Sequence, residues 1–542
     1  MVDLAIRNCR IVDGTGAAGY DGDVGIEGDR IAAVGDVAAS AGHEIDAGGL
    51  TLAPGFIDIH THSDYSLLID GRGASALHQG VTTQINGNCG VSAFPVAADG
   101  PYLGPFESTR LRATLDVDWS SAGGYFDRLA RQRVGINCGF FVGHGAVRQA
   151  AMGHSPKAPT SPQRRRMQEL VAVQMEEGAF GLSTGLTYVP GSYADTDEIV
   201  ALAAATAPFG GIYATHMRNY TAGIMEALDE AIAIGQQAAV PVHVSHITPC
   251  PPATGSAAHL IERMDQARVA GIDVTADTEF YATGSTSLRS LLPPWALEGG
   301  NAEMVERLRQ PALRQRMWEQ VEESGSELGG STKTVLMQQG RWDLLWLGNC
   351  DRNADLTGKS FAEIGARREC HPFEAICEIL VEEEGAASFF GRDKTDADID
   401  VLARDPHCGL GSDGLALASD GPLGREREHP RCYGGMAYLL QSVVRERGTL
   451  SLEQAVEKVT RFPAARLGLA GRGVVREGAI ADLVLFDPAT IADRATIVEP
   501  RTYAAGVRWL FVNGEAALAD GAATGARSGR VLRACESREE NA

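Results

Sequence analysis

Four histidines, one cysteine and one aspartate carry most of the chemical signal in this sequence. His60-Thr61-His62 is a His-x-His pair inside the apolar run GFIDIHTHSD. Side chains on a strand alternate faces with period two, so both imidazoles point to the same side. Imidazole nitrogen binds zinc and related divalent metals. A lone His-x-His more often caps a strand than holds an ion. The balance changes because His216 and His246 arrive at the ends of two later apolar runs, GIYATHMR and VPVHVSHIT. Four histidines at equivalent places are hard to explain as packing.

Cys89, in Asn88-Cys89-Gly90, ends another such run. Most free cysteines are inert buried hydrophobes, and the other nine of the ten are read that way. Cys89 instead falls in the layer where the histidines gather, where a metal would hold it as thiolate below its free pKa of ~8.5. A nucleophilic Cys/His site is the competing reading, but it leaves three histidines and an aspartate without a role. That aspartate is Asp413, in Gly411-Ser412-Asp413-Gly414. Ser-Asp-Gly alone reads as a turn. Facing a metal, its carboxylate could take a proton from activated water and pass it to a leaving nitrogen. Gly14-x-Gly16-x-x-Gly19 matches a dinucleotide fingerprint by letters only, since a further strand follows it where a helix is required. No Walker A sequence occurs, so phosphoryl transfer lacks its parts.

These residues need elements to hold them. Eight short apolar runs, at 55–64, 82–90, 136–145, 179–187, 211–218, 240–248, 271–280 and 408–414, mostly alternate with amphipathic helical stretches. That is the α/β pattern of a (β/α)₈ barrel, whose active site lies at the C-terminal strand ends. His60, His62, Cys89, His144, His216, His246 and Asp413 all fall at or near those ends. The spacer after the seventh run, about 281–406, is far longer than one helix, as expected of a lid or binding segment. Strand-like texture at 3–12 and 23–35 returns at 479–487 and 509–518, where Asn513-Gly514 is a hairpin signal. Both termini are therefore expected to build one β-domain.

The 542 residues carry 48 basic against 70 acidic groups, a net charge of −22, and 44% are hydrophobic. So acidic a chain argues against nucleic acid and anionic membranes as partners. No apolar stretch approaches the ~18 residues of a membrane helix, and no secretory signal is visible in MVDLAIRNCR. Ten scattered cysteines without a CxxC pair fit a reduced, cytoplasmic compartment.

PGFIDIHTHSD, NCG, THMRN, VSHIT, GSTSLRSLLPPWALEGG, GSDG and HPRCYGG stand in an order that resembles the N-acyl-D-amino-acid deacylases (D-aminoacylases) of the amidohydrolase superfamily, over about residues 3–516. The resemblance implies a β-sandwich from segments 1–54 and 471–542 and a catalytic barrel over 55–470. It also implies an inserted lid near 285–347. Carried over, Cys89, His216 and His246 would form one tight zinc site, His60 and His62 a second, weaker metal site, and Asp413 would be a ligand and the acid/base. Tyr281 would hold substrate or polarise its carbonyl, Arg289 and Arg431 would meet a substrate carboxylate, and His144 and Arg148 would support the site from behind. Three departures fall in the substrate half: Thr248 replaces a lysine, Glu279-Phe280-Tyr281 replaces Tyr-Pro-Tyr, and Tyr433-Gly434-Gly435-Met436 replaces Tyr-Gly-Thr-Phe. The expected activity is zinc-dependent hydrolysis of a small N-acyl-D-amino acid, D-dipeptide or related amide. A cyclic-amide hydrolase of hydantoinase or dihydroorotase type, a deaminase, and a non-catalytic metal-binding barrel remain alternatives.

Overall fold

Apolar runs buried on both faces are what a parallel sheet under helices requires, and all eight runs become barrel strands. The computed structural model describes residues 2–534, apart from 38–39, 99, 105–115 and 325–331. The barrel strands are Phe56–Asp58, Val81–Asn86, Asn137–Phe140 (continuing as Val142–Gly143), Gly181–Gly185, Ile212–His216, Val242–Val244, Val274–Thr278 and Cys408–Leu410. Each pairs in parallel with the next, through registers such as Gly185↔His216 and Ala276↔Cys408. The circuit closes between first and eighth strands. Thr61 bridges Gly414 in parallel, and the Asp413 N–H donates to the His60 carbonyl at 2.9 Å. This closure sets Asp413 beside the two histidines although the chain between them is some 350 residues long.

The termini share one nine-stranded sheet, in which Leu483–Phe486 pairs antiparallel with Thr51–Pro54. Residues from both ends, among them Ile6, Val24, Ile31, Leu483 and Phe511, bury a common core, so the sheet folds over itself as a sandwich. Asn513 (φ 51°) and Gly514 (φ 83°) form the hairpin expected there, both in the left-handed region that such a turn needs. Gly14 and Gly16 lie in the connection between antiparallel strands Val2–Ile11 and Tyr20–Glu27, not at a helix start.

Between the seventh and eighth barrel strands the insert forms its own antiparallel sheet of Thr283–Ser287, Leu345–Leu347 and Ser388–Arg392. Helices between these strands bury a core separate from the barrel's, including Leu291, Met317, Phe361 and Phe389. The insert therefore runs past Arg392, up to the barrel-packed helix Asp396–Arg404, rather than ending near 347. Its central strand, which pairs with both others, is the last to be made. Positions 325–331 of the expected lid, and 535–542 of the C-terminal segment with Cys535, lie outside the described residues.

Candidate metal centre

The strand-end residues converge. One ligand atom each from His60, His62, Cys89 and Asp413 lies within 4.8 Å of the others, and the same holds for Cys89, His216 and His246. Cys89 belongs to both groups, so its sulfur is placed to be shared between two ions. His60 Nε2 is 3.3 Å and His246 Nε2 3.5 Å from the sulfur, and His62 Nε2 is 2.8 Å from Asp413 Oδ1.

Backbone strain helps to aim these groups. Cys89, His246 and Asp413 all sit at positive φ (51°, 35° and 54°). Such conformations cost of order 1–3 kcal/mol for a non-glycine residue and collect at functional sites. The Cys89-Gly90 turn needs neighbours without side chains. A Cβ at Gly185 would collide with the Cys89 carbonyl, and one at Gly143 would stand 2.6 Å from the Gly90 oxygen.

The donor set suits zinc: imidazole nitrogens, a thiol and a carboxylate, nearly dry. His216 supplies the sharpest test of that fit. Its Nε2 meets Thr187 Oγ1 at 2.8 Å, while its buried Nδ1 has no hydrogen-bond partner among the described residues. A buried polar atom without a partner is costly, so an ion is the natural occupant of that position.

Electrostatics point the same way. Burial holds His216 well below the ordinary histidine value and brings His246 down to about 3, so both keep lone pairs for coordination. Burial pushes the Cys89 thiol up to about 11, and a cation is what would draw it down to thiolate. His60 differs. Burial opposes its charging, but Asp277 and Cys89 outweigh that and hold it well above its usual value. Burial also resists the charge on Asp413, yet Arg431 and His62 keep it well below the carboxylate range. Arg431 Nη1 approaches Asp413 Oδ2 to 2.9 Å.

Asp277, which sequence reasoning missed, orients this cluster. Its Oδ2 lies 3.2 Å from His60 Nδ1 and 3.0 Å from His243 Nε2, while Oδ1 accepts the His246 N–H at 2.7 Å. Carboxylates in this role fix the tautomer and direction of metal-ligating histidines. The available signal was its place at the end of the seventh strand, in the layer of the other site residues.

The expected substrate residues divide. Arg431 lines the metal pocket with Glu279, Tyr188 and Thr248. Arg289 does not. It bonds Asn301 and the Gly104 carbonyl and lines a separate cavity of about 860 Å³, which meets the metal pocket at Thr187 and Tyr188. Tyr281 also turns away. Its hydroxyl donates to Asp493 Oδ2 at 2.6 Å, and its ring stacks on Tyr438 with centroids 4.1 Å apart. The chain bends at Phe280, just past the strand Val274–Thr278, and this directs Tyr281 at the C-terminal segment and not at the metal. We expect Tyr281→Phe to lose about 1–2 kcal/mol of stability, as a hydrogen bond to a partly buried carboxylate is removed, with kcat within about twofold. Denaturant melts and steady-state rates check this, and a large fall in kcat at unchanged stability would return Tyr281 to the reaction. His144 and Arg148 are fully buried and share Glu198: His144 Nε2 lies 2.8 Å from its Oε1, and Arg148 bonds its Oε2. Neither lines the metal pocket.

A closed eight-stranded barrel with paired His/Cys/Asp clusters at its C-terminal edge defines a metal-dependent hydrolase barrel. The chain belongs to the Amidohydrolase family, whose sequence pattern matches residues 43–317 and 410–517. It is 34% identical to the D-aminoacylase of Alcaligenes xylosoxydans xylosoxydans over 98% of this chain and 97% of that one. It is 33% identical to the N-acyl-D-glutamate deacylase of the same organism, covering 98% and 96%. Among solved structures it resembles the N-acyl-D-glutamate deacylase of Bordetella bronchiseptica, solved with zinc and a phosphonate mimic of the tetrahedral intermediate. That match has a TM-score of 0.80 at 32% identity, covering 98% and 99%. No helix of the described residues is long and apolar enough to cross a membrane.

Proposed function

We propose that this protein hydrolyses the linear amide bond of N-acyl-D-amino acids or of closely related D-amino-acid amides and D-dipeptides. The observation that carries this reading is the sharing of Cys89 between two ligand clusters beside Asp413, on a chain similar along its whole length to D-amino-acid deacylases. Cys89, His216 and His246 would hold the tight zinc, and His60, His62 and Asp413, with Cys89, the second position. Zinc bound there would supply a water activated for attack near neutral pH and polarise the amide carbonyl.

This chain's own residues do the rest. Asp413, kept ionised by Arg431 and His62, is the base that accepts the water's proton and the acid that returns it to the departing nitrogen. Tyr188 takes the carbonyl-polarising role expected of Tyr281. It lines the pocket, its ring lies 4.8 Å from that of His216, and its hydroxyl accepts from Thr286 Oγ1 at 3.1 Å, leaving its own proton to donate. Arg431 sits where a substrate's polar end would meet it. The metal pocket itself encloses only about 60 Å³, so the acyl group is expected to extend past Tyr188 into the larger cavity.

The deciding experiment is a screen of zinc-loaded enzyme against paired D- and L-N-acyl amino acids, D-dipeptides, cyclic amides and amino-substituted bases. Turnover confined to linear D-amides is the expected result. Preferential ring opening would install the cyclic-amide reading instead, ammonia release from the bases a deaminase, and no metal-dependent turnover at all a non-catalytic barrel.

A further inference from the structure

The substrate half of the pocket holds two ammonium groups that the motifs did not announce. Thr248, standing where the resembling family carries a lysine, is buried and spends its hydroxyl on Thr278 Oγ1 at 2.6 Å. The end of the sixth barrel strand thus offers the pocket no cation. Opposite it, Lys333 and Lys394 line the same pocket and come from two separate pieces of the insert. Lys333 precedes the short helix Thr334–Gln338, and Lys394 follows the strand Ser388–Arg392. Their Nζ atoms lie 3.3 and 3.2 Å from the point where a Cβ at Gly284 would stand, so the absence of a side chain at Gly284 makes room for both.

Arg431 completes this wall from the barrel side. Lys394 contacts Glu279 Oε2 and Arg431 contacts Oε1, so one carboxylate is already held between these two cations. The buried Arg431 Nε has no hydrogen-bond partner among the described residues and remains a donor to the pocket. Lys333 is steadied by Asp393 at 3.0 Å, and Asp393 does not line the pocket. The lining therefore presents three cations, Lys333, Lys394 and Arg431, against two carboxylates, Glu279 and Asp413. Both lysines also fall between the stretches that match the family pattern, 43–317 and 410–517.

We propose that Lys333 and Lys394 of the insert, with Arg431, receive the substrate's carboxylate in place of the lysine that the sixth strand lacks. The proposal rests on the function proposed above and deepens it. Substrate specificity in this chain is then set by the insert more than by the barrel, and a carboxylate entering the site ties the two together.

The test compares N-acetyl-D-leucine with its primary carboxamide on zinc-loaded enzyme. Lys394→Gln, and separately Lys333→Gln, should raise KM for the carboxylate about tenfold or more, leave kcat within about threefold, and change the carboxamide by no more than about twofold. Adding Thr248→Lys to Lys394→Gln should recover much of the carboxylate KM, which a merely damaged fold would not do. Because Lys394 also neutralises Glu279, its loss could unfold the pocket. The double variant Lys394→Gln/Glu279→Gln removes the pair together and should show the same discrimination. Equal effects on both compounds, or an unchanged carboxylate KM in the lysine variants, would overturn the proposal. If the wild type turns over neither compound, the wider substrate screen decides the proposed function. The anchor is then decided by calorimetric binding of the same two compounds, against the same tenfold criterion.

Discussion

Replacing Cys89 with alanine should strip the protein of its zinc and most of its activity together. Cys89 is the one residue common to both ligand clusters, so its loss removes a donor from each. Losing an outer partner of a metal ligand typically costs 10–100-fold in affinity or activity, and losing the shared ligand itself should cost more. Cys89 also has a strained backbone (φ 51°), and burial holds its thiol protonated, so zinc uptake must displace its proton. Metal analysis of purified protein should find about one tightly held zinc in the wild type and little in Cys89→Ala. The melting temperature of the metal-free proteins should differ little, because no packing group larger than a sulfur is removed. A variant that keeps full zinc and full turnover would remove Cys89 from the centre and leave the site to the histidines.

Asp413→Asn should separate chemistry from metal binding. The substitution keeps size and polarity but cannot carry a proton. Turnover should fall by ~10² or more while the Cys89, His216 and His246 site keeps its zinc, since Asp413 belongs only to the other cluster. Arg431 would lose its 2.9 Å partner, yet Glu279 still engages it, so the fold around it should hold. Turnover within a few fold of wild type would show that another group moves the proton. The nearest candidate in that event is His62, 2.8 Å from Asp413.

Much of this is legible in the sequence alone. Every one of these runs became a barrel strand, because strands buried on both faces of a parallel sheet stand out locally as short runs nearly free of charge. His60 and His62 reach the same cluster from the bend just past the strand Phe56–Asp58, close to where the His-x-His spacing placed them. Cys89, His216, His246 and Asp413 could be gathered because a barrel places all its strand ends on one rim. Asn513-Gly514 announced its hairpin for an equally local reason, the ease with which these two residues take positive φ. What lay beyond such rules was decided by contacts between distant parts of the chain. The insert's length depended on a strand, Ser388–Arg392, that has meaning only when paired with Thr283–Ser287. The direction of Tyr281 was set by Asp493, more than two hundred residues away. The retreat of Arg289 into a neighbouring cavity was set by Asn301 and Gly104, and the arrival of Lys333 and Lys394 by the way the insert folds back on the barrel. Periodicity fixes which face a side chain takes within its own strand. Where a loop or insert carries its side chains depends on tertiary partners, and those are not written in any local stretch of sequence.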